Sequence, residues 1–458
     1  MDKSTILQQP PPDTLAPAAE TSPTGVFPTT KPYRANSQAW RSALALLLVG
    51  GTLSACGGLG GSAGYRGSFG RYEATHLLRR AAARGNVEEA DHLASLGLEG
   101  AVESLLDTPE LPTEEEPSYF GRYYHPYTNI WVNHWLTTST PLAERLTLFW
   151  HGHFVTEAIK TGYWNTYHKI NKLRELSLSP FKDLLYMIAE DPAMIIYLDN
   201  NVSTKDHPNE NWARELMELF TLGEGHYTEK DIQEVARAFT GWRVSYEDGR
   251  HYFLFEGEVH DFEPKNILGK TVHNTFNPSF EGYEVLDILL EKKQTYLYIA
   301  EKLLKYFHHP RPSGEMIEKG ADVLQGGSVR DFLKWLFMHP DFYSDEARNA
   351  LVKSPMEYAV GMLYATGVRE IPAGNSGLWS WLRYRLDQDP MNPPNVAGWP
   401  ISSMDWISDS LLLQRLKFID FATQPPEQDS PHGLIDYSVF MDDAVNPLSL
   451  VAPEAQLL

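Results

Sequence analysis

One cysteine in 458 residues, Cys56, denies this chain a disulfide framework, a cysteine-ligated zinc finger and an iron–sulfur cluster. The fold must therefore be held by buried apolar surface, for which a hydrophobic fraction of 42% is adequate. From Arg71 onward that surface is patterned as helices, with few alternating strand-like runs. Asn86 can cap a helix through VEEADHLASLG, and Thr140-Pro141 begins another, the hydroxyl serving as cap and proline occupying the first helical position. Further helices are predicted at Pro180–Glu190, Asn209–Leu222, Thr228–Thr240, Glu284–Phe307, Ser328–Met338, Ser354–Ala365 and Met404–Phe421. The aromatic and β-branched clusters between Tyr246 and Lys270 predict a small hairpin. The expected fold is mainly α: a single large helical domain over residues 71–423 with a minor β-hairpin.

The position of the cysteine carries further information. Ala43 to Leu53 reads ALALLLVGGTL, an apolar run of signal-peptide length, too short to span a membrane as a stable helix, and preceded by Arg34 and Arg41. It ends in Leu53-Ser54-Ala55-Cys56-Gly57, which looks like a bacterial lipobox, in which small residues permit cleavage and the thiol takes a diacylglycerol. Residues 1–56 are thus expected to be a disordered leader and lipoprotein signal, and 57–70 a glycine-rich tether. Residues 424–458 are expected to form a loosely packed tail. Cys56 is the expected lipidation site and membrane contact. The chain is expected in the cell envelope, and Gly57 after the cysteine favours the outer membrane.

Charge narrows the partners. With 39 Lys+Arg against 60 Asp+Glu the net charge is −21, which argues against a nucleic-acid partner, because phosphate backbones are bound by concentrated basic side chains. The 12 Trp and 23 Tyr residues serve equally as core or as the lining of a groove.

Three segments stand out: Phe149-Trp150-His151-Gly152-His153-Phe154; Asp191-Pro192-Ala193-Met194 through Asn209-Glu210-Asn211-Trp212-Ala213-Arg214-Glu215-Leu216 to Thr240-Gly241-Trp242; and Val396-Ala397-Gly398-Trp399-Pro400. In this order they resemble the bacterial family catalogued as domain of unknown function 1800, over about residues 74–418. The resemblance implies an exported protein that works beside a second exported protein. It names no reaction. Two positions depart from the family pattern: Leu77-Leu78-Arg79-Arg80 runs into Ala81-Ala82-Ala83-Arg84-Gly85 in place of a Phe-Gly step, and Glu291-Lys292-Lys293-Gln294 replaces a His-Pro pair.

The chemistry of these segments depends on local geometry. His151 and His153 point to one side in extended backbone, as two ligands of one divalent metal require, but diverge by about 200° in continued helix. On the Asn209 helix, Glu210, Arg214 and Glu218 are successive i+4 neighbours, so the guanidinium can sit between two carboxylates as an ion ladder. The functional alternative makes Glu215 or Glu218 a metal-binding carboxylate beside the histidines, with Arg214 as an anion clamp. His260 and Asp261 are candidates from an opposite wall. Two readings follow: a metal- or carboxylate-dependent enzyme on an envelope or extracellular substrate, with His151, His153, Glu215, Arg214, His260 and Asp261 as its catalytic residues and His151, His153, Glu215 and Glu218 as its metal ligands, or a tethered, non-enzymatic binding or scaffold protein in which the same residues form a rigid polar core.

Overall fold

The computed structural model describes residues 68–113, 125–247, 250–372, 374–401 and 403–422; Cys56, the signal-like run, most of the tether and the tail after Gln424 lie outside the described residues. Helices α1 (Arg71–Ala81) and α2 (Val87–Leu105) open the domain, followed by α3 (His125–Thr137), α4 (Pro141–His153), α5 (Ala158–Thr161), α6 (Tyr163–Glu175), α7 (Phe181–Glu190) and α8 (Pro192–Tyr197). Next, α9 (Glu210–Glu215) runs into a π-helical segment, Leu216–Thr221, and α10 (Glu229–Ala238) turns back beside it. Strands β1 (Trp242–Glu247), β2 (Arg250–Phe255), β3 (Lys265–Ile267) and β4 (Lys270–Val272) form two antiparallel pairs. The remainder is α11 (Phe280–Leu290), α12 (Lys293–Phe307), α13 (Gly314–Gly326), α14 (Val329–Met338), α15 (Asp345–Arg348), α16 (Pro355–Ala365), α17 (Gly377–Tyr384) and α18 (Asp409–Ala422).

The helix starts follow their capping chemistry. Asn86 accepts from the Glu89 amide, and Thr228–Asp231, Ser328–Asp331 and Ser354–Glu357 each form reciprocal capping boxes. Thr140 differs from expectation. Its hydroxyl makes no cap bond, because it accepts from the Glu110 amide at 3.0 Å instead. The run Glu284–Phe307 is two helices. Lys292 is extended (φ −77°, ψ 121°) between α11 and α12, and no proline or glycine marks the break.

The predicted hairpin is present as β1–β2, in register Trp242↔Phe255, and a second, β3–β4, lies within the same stretch. Leu268 and Gly269 link β3 to β4 with φ of 49° and 85°, the two positive angles of a tight hairpin turn. The Leu268 amide is held by the Asp231 carboxylate at 2.7 Å, so the cap of α10 also fixes this turn.

Two hydrophobic clusters fill the domain, and α4 belongs to both. Leu142, Leu146, Phe149 and Trp150 enter the larger, Leu148 the smaller. A helix buried on every side must find partners for its polar groups within the protein. Glu144, fully buried, is gripped by Arg174 of α6 through two bonds of 2.5 and 3.0 Å, and accepts from the Trp131 indole of α3 at 2.9 Å. Burial opposes its ionisation, but Arg174 and His134 hold its carboxyl below the usual range.

Arg174→Met leaves a charged Glu144 without its counter-ion and is expected to cost about 3–5 kcal/mol in denaturant unfolding, more than the double replacement Glu144→Leu/Arg174→Met. A carboxyl with a depressed folded pKa contributes stability above its unfolded pKa and loses it as pH falls through the folded value. The double variant is accordingly expected to lose less stability than the parent on acidification below pH 4.5, the ordinary glutamate value.

Candidate functional site

Helix α4 continues through His153, so the conditional geometry of the HGH step resolves toward divergence. Buried His151 points its Nε2 at the Pro390 carbonyl (3.0 Å) and packs edge-on to Trp399, with ring centroids 5.4 Å apart. Buried His153 points its Nε2 at the Phe220 carbonyl (3.2 Å), lies parallel to Phe149, and accepts from Lys302 Nζ at 3.0 Å through Nδ1. Burial lowers both imidazoles well below their ordinary pKa, helped by Lys169 beside His151 and Lys302 beside His153. Each histidine therefore serves a different wall of the protein.

The Asn209 helix departs from the expected ladder at its middle. Asn209 caps it, accepting from the Asn211 amide at 2.8 Å, but after Glu215 the chain widens to a π turn, closed by the Thr221 hydroxyl on the Leu216 carbonyl at 2.6 Å. The extra residue rotates Glu218 away from Arg214. Arg214 binds Glu229 through two bonds of 2.9 and 2.8 Å and reaches Glu210 at 3.4 Å, while Glu218 accepts from the Tyr227 hydroxyl at 2.6 Å. The same rotation buries Phe220 and leaves Leu219 half-buried. It also frees backbone carbonyls that side chains then satisfy: Lys302 on Leu219, His153 on Phe220 and Gln294 on Leu222. Glu215, half-buried, has no hydrogen bond or ion pair; burial and nearby Glu218 push its carboxyl pKa up.

His260 and Asp261 also part company. Both ring nitrogens of buried His260 face oxygens, Nδ1 the Thr240 carbonyl at 2.7 Å and Nε2 Glu281 at 3.2 Å, with Lys265 on the same carboxylate. Asp261 instead takes a two-bond grip from Arg237 at 2.7 and 3.1 Å. Among the described residues no group of three or more His, Cys, Asp or Glu side chains is arranged to hold a metal ion.

What the structure does bring together are the first and last of the three sequence segments. Gly398 has φ +81°, and a Cβ there would stand 2.1 Å from the Gly152 carbonyl; a Cβ on Gly152 would meet the Trp399 ring at 3.2 Å. Two glycines thus allow the VAGWP loop to seat on the end of α4. Beside this junction lies a narrow cleft lined by Arg145, Tyr306, Glu357, Trp399, Ser403 and Trp406. The sequence reading missed Arg145 and Glu357. The available signal was a charged Glu144-Arg145 pair inside an otherwise apolar helix, which requires buried partners. Lys302 and Lys169 gave no such signal.

Gly398→Ala is expected to cost about 3 kcal/mol or more, since backbone strain and a backbone clash combine. Gly225→Ala (φ +86°, nothing within 4 Å) isolates the strain and is expected to cost about 1–2 kcal/mol in the same thermal or denaturant melts. Fully buried Lys169 donates to the Phe154 carbonyl, and burial lowers its pKa to about 7. A lysine whose folded pKa lies below its unfolded value sheds its proton earlier in the folded state, so stability rises with pH between about 7 and the ordinary 10.5. Melting temperatures measured from pH 6.5 to 9.5 are expected to climb for the parent (roughly the window that linkage sets) and to climb less for Lys169→Met.

The family described as "Protein of unknown function (DUF1800)" matches residues 76–451, and the chain belongs to that family. No curated protein and no solved structure matches it.

Proposed function

We propose that this family member is a lipid-anchored envelope protein whose helical domain acts as a non-enzymatic binding scaffold, working with a second exported protein. The observation that carries the scaffold reading is the commitment of the HGH histidines: each spends a ring nitrogen on a backbone carbonyl inside a separate apolar wall. Arg214 and Asp261 are likewise engaged in two-bond ion pairs, as structural groups are. A carboxylate-dependent enzyme is the second reading, and Glu215 alone favours it, as a half-buried acid with a raised pKa and no partner.

The anchoring half of the proposal rests on the signal-like run and the small residues before Cys56. No helix among the described residues is long and apolar enough to cross a membrane, so attachment is assigned to lipid on that cysteine. Expression of the full chain in a lipoprotein-processing bacterium is expected to yield a membrane-fraction protein whose mature N-terminus is diacylglyceryl-modified Cys56, and Cys56→Ala is expected to remain unprocessed. A mature N-terminus elsewhere, or an unmodified cysteine, would refute the anchor. For the domain, Glu215→Gln is expected to leave partner capture in crosslinking experiments unchanged. Loss of a measurable envelope-polymer hydrolysis in that variant would instead establish the second reading.

A further inference from the structure

The cleft beside the Gly152–Gly398 junction lies between the two hydrophobic clusters, with Phe149 from one and Leu148, Trp399 and Trp406 from the other among its walls. Three of the side chains that line it hold buried donor atoms with no protein partner: Arg145 Nη1, Trp399 Nε1 and Ser403 Oγ. Arg145 is 4% exposed, Trp399 7% and Ser403 5%, so none of the three side chains is open to bulk water. An unmet buried donor costs about 1–3 kcal/mol, and more when charged. Three in one cleft call for an acceptor.

The electrostatics have the same sign. Arg145 binds Glu357 through Nε at 2.5 Å and the Tyr306 carbonyl through Nη2 at 3.2 Å, and stacks on Tyr306 and Phe307, so its position is fixed while Nη1 is left over. Arg80 and Lys353 both feel Arg79 and Arg145 as like charges and Glu357 as the opposing one, and Arg415 adds to the field at Lys353. Arg79, from the LLRR segment, has no carboxylate in ion-pair contact. In a chain of net charge −21 this is a local excess of buried positive charge.

We propose that the cleft binds a carboxylate, which accepts from Arg145, Trp399 and Ser403 while its apolar substituent lies against Tyr306 and Trp406. The room inside, about 40 Å³ for water-sized occupants, suits a planar two-oxygen group and little beyond it. The carboxylate can come from a peptide C-terminus or from a free small acid. This inference goes beyond the scaffold proposal, and its test reads the cleft directly, independently of acylation and of partner capture.

The experiment uses the full chain labelled with 15N-tryptophan, with Trp399→Phe assigning the Trp399 indole N–H resonance while keeping a ring against Gly152. The probes are N-acetyl-alanyl-alanine, its C-terminal amide and acetate. The acid dipeptide is expected to shift the Trp399 resonance downfield and saturably, the amide to leave it in place, and Ser403→Ala to weaken binding roughly 5-fold, the loss of one hydrogen bond. An equal response to acetate identifies a free small acid as the source, and a response to the dipeptide alone identifies a peptide C-terminus. No shift with either acid, an equal shift with the amide, or unchanged affinity in Ser403→Ala overturns the proposal and assigns the donors to water.

Discussion

The architecture depends on a carboxylate placed where no water reaches it. Glu144 sits within α4, a helix buried from end to end, and it is tolerable there only because Arg174, Trp131 and His134 surround it. Those partners come from α6 and α3, so one charge sets the mutual position of three helices. The next residue, Arg145, repeats the arrangement toward α16 through Glu357, and His151 and His153 repeat it with neutral groups toward Pro390 and Phe220. Along α4, polar residues specify which element stands on each side, while apolar neighbours supply the burial.

The π turn after Glu215 is the second organising feature. By inserting a residue into the helix it redirects Glu218 to Tyr227, turns Phe220 inward and exposes carbonyls that Lys302, His153 and Gln294 cover. The histidine that resembled a metal ligand is thus part of the repair of an irregular helix. Its neighbour Lys302 is drawn to a pKa of about 7 by burial and by Lys305. Irregular backbone here explains perturbed titration without any chemistry on a substrate.

Much of the fold was legible in the sequence because its signals are local. Asn86, Thr228, Ser328 and Ser354 begin helices where capping chemistry says they should, and the aromatic stretch near Tyr246 is a hairpin. What was illegible depends on tertiary context. The break at Lys292 has no breaker residue, the hydroxyl of Thr140 was diverted to the distant Glu110 amide, and a π turn has no composition of its own. The candidate site suffered from the same limit: spacing could state that His151 and His153 either converge or diverge, but only the continued helix decides it. Arg145 and Glu357 are 212 residues apart in the chain, beyond any pattern a local reading can use.

The seating of the VAGWP loop on α4 also orders events in time. His151 reaches the Pro390 carbonyl across 239 residues, and Gly152 is covered only when Gly398 and Trp399 arrive. A growing chain emerging from the ribosome therefore presents the last turn of its central helix, with Trp150 and Phe154 nearby, before the segment that closes over it exists. Closing so long a loop carries an entropic cost that local helix formation does not. The domain is thus committed to a late folding step in which its C-terminal loop completes the packing of its first half, and a chain interrupted before Gly398 would display that uncovered turn to any quality-control factor that recognises apolar surface.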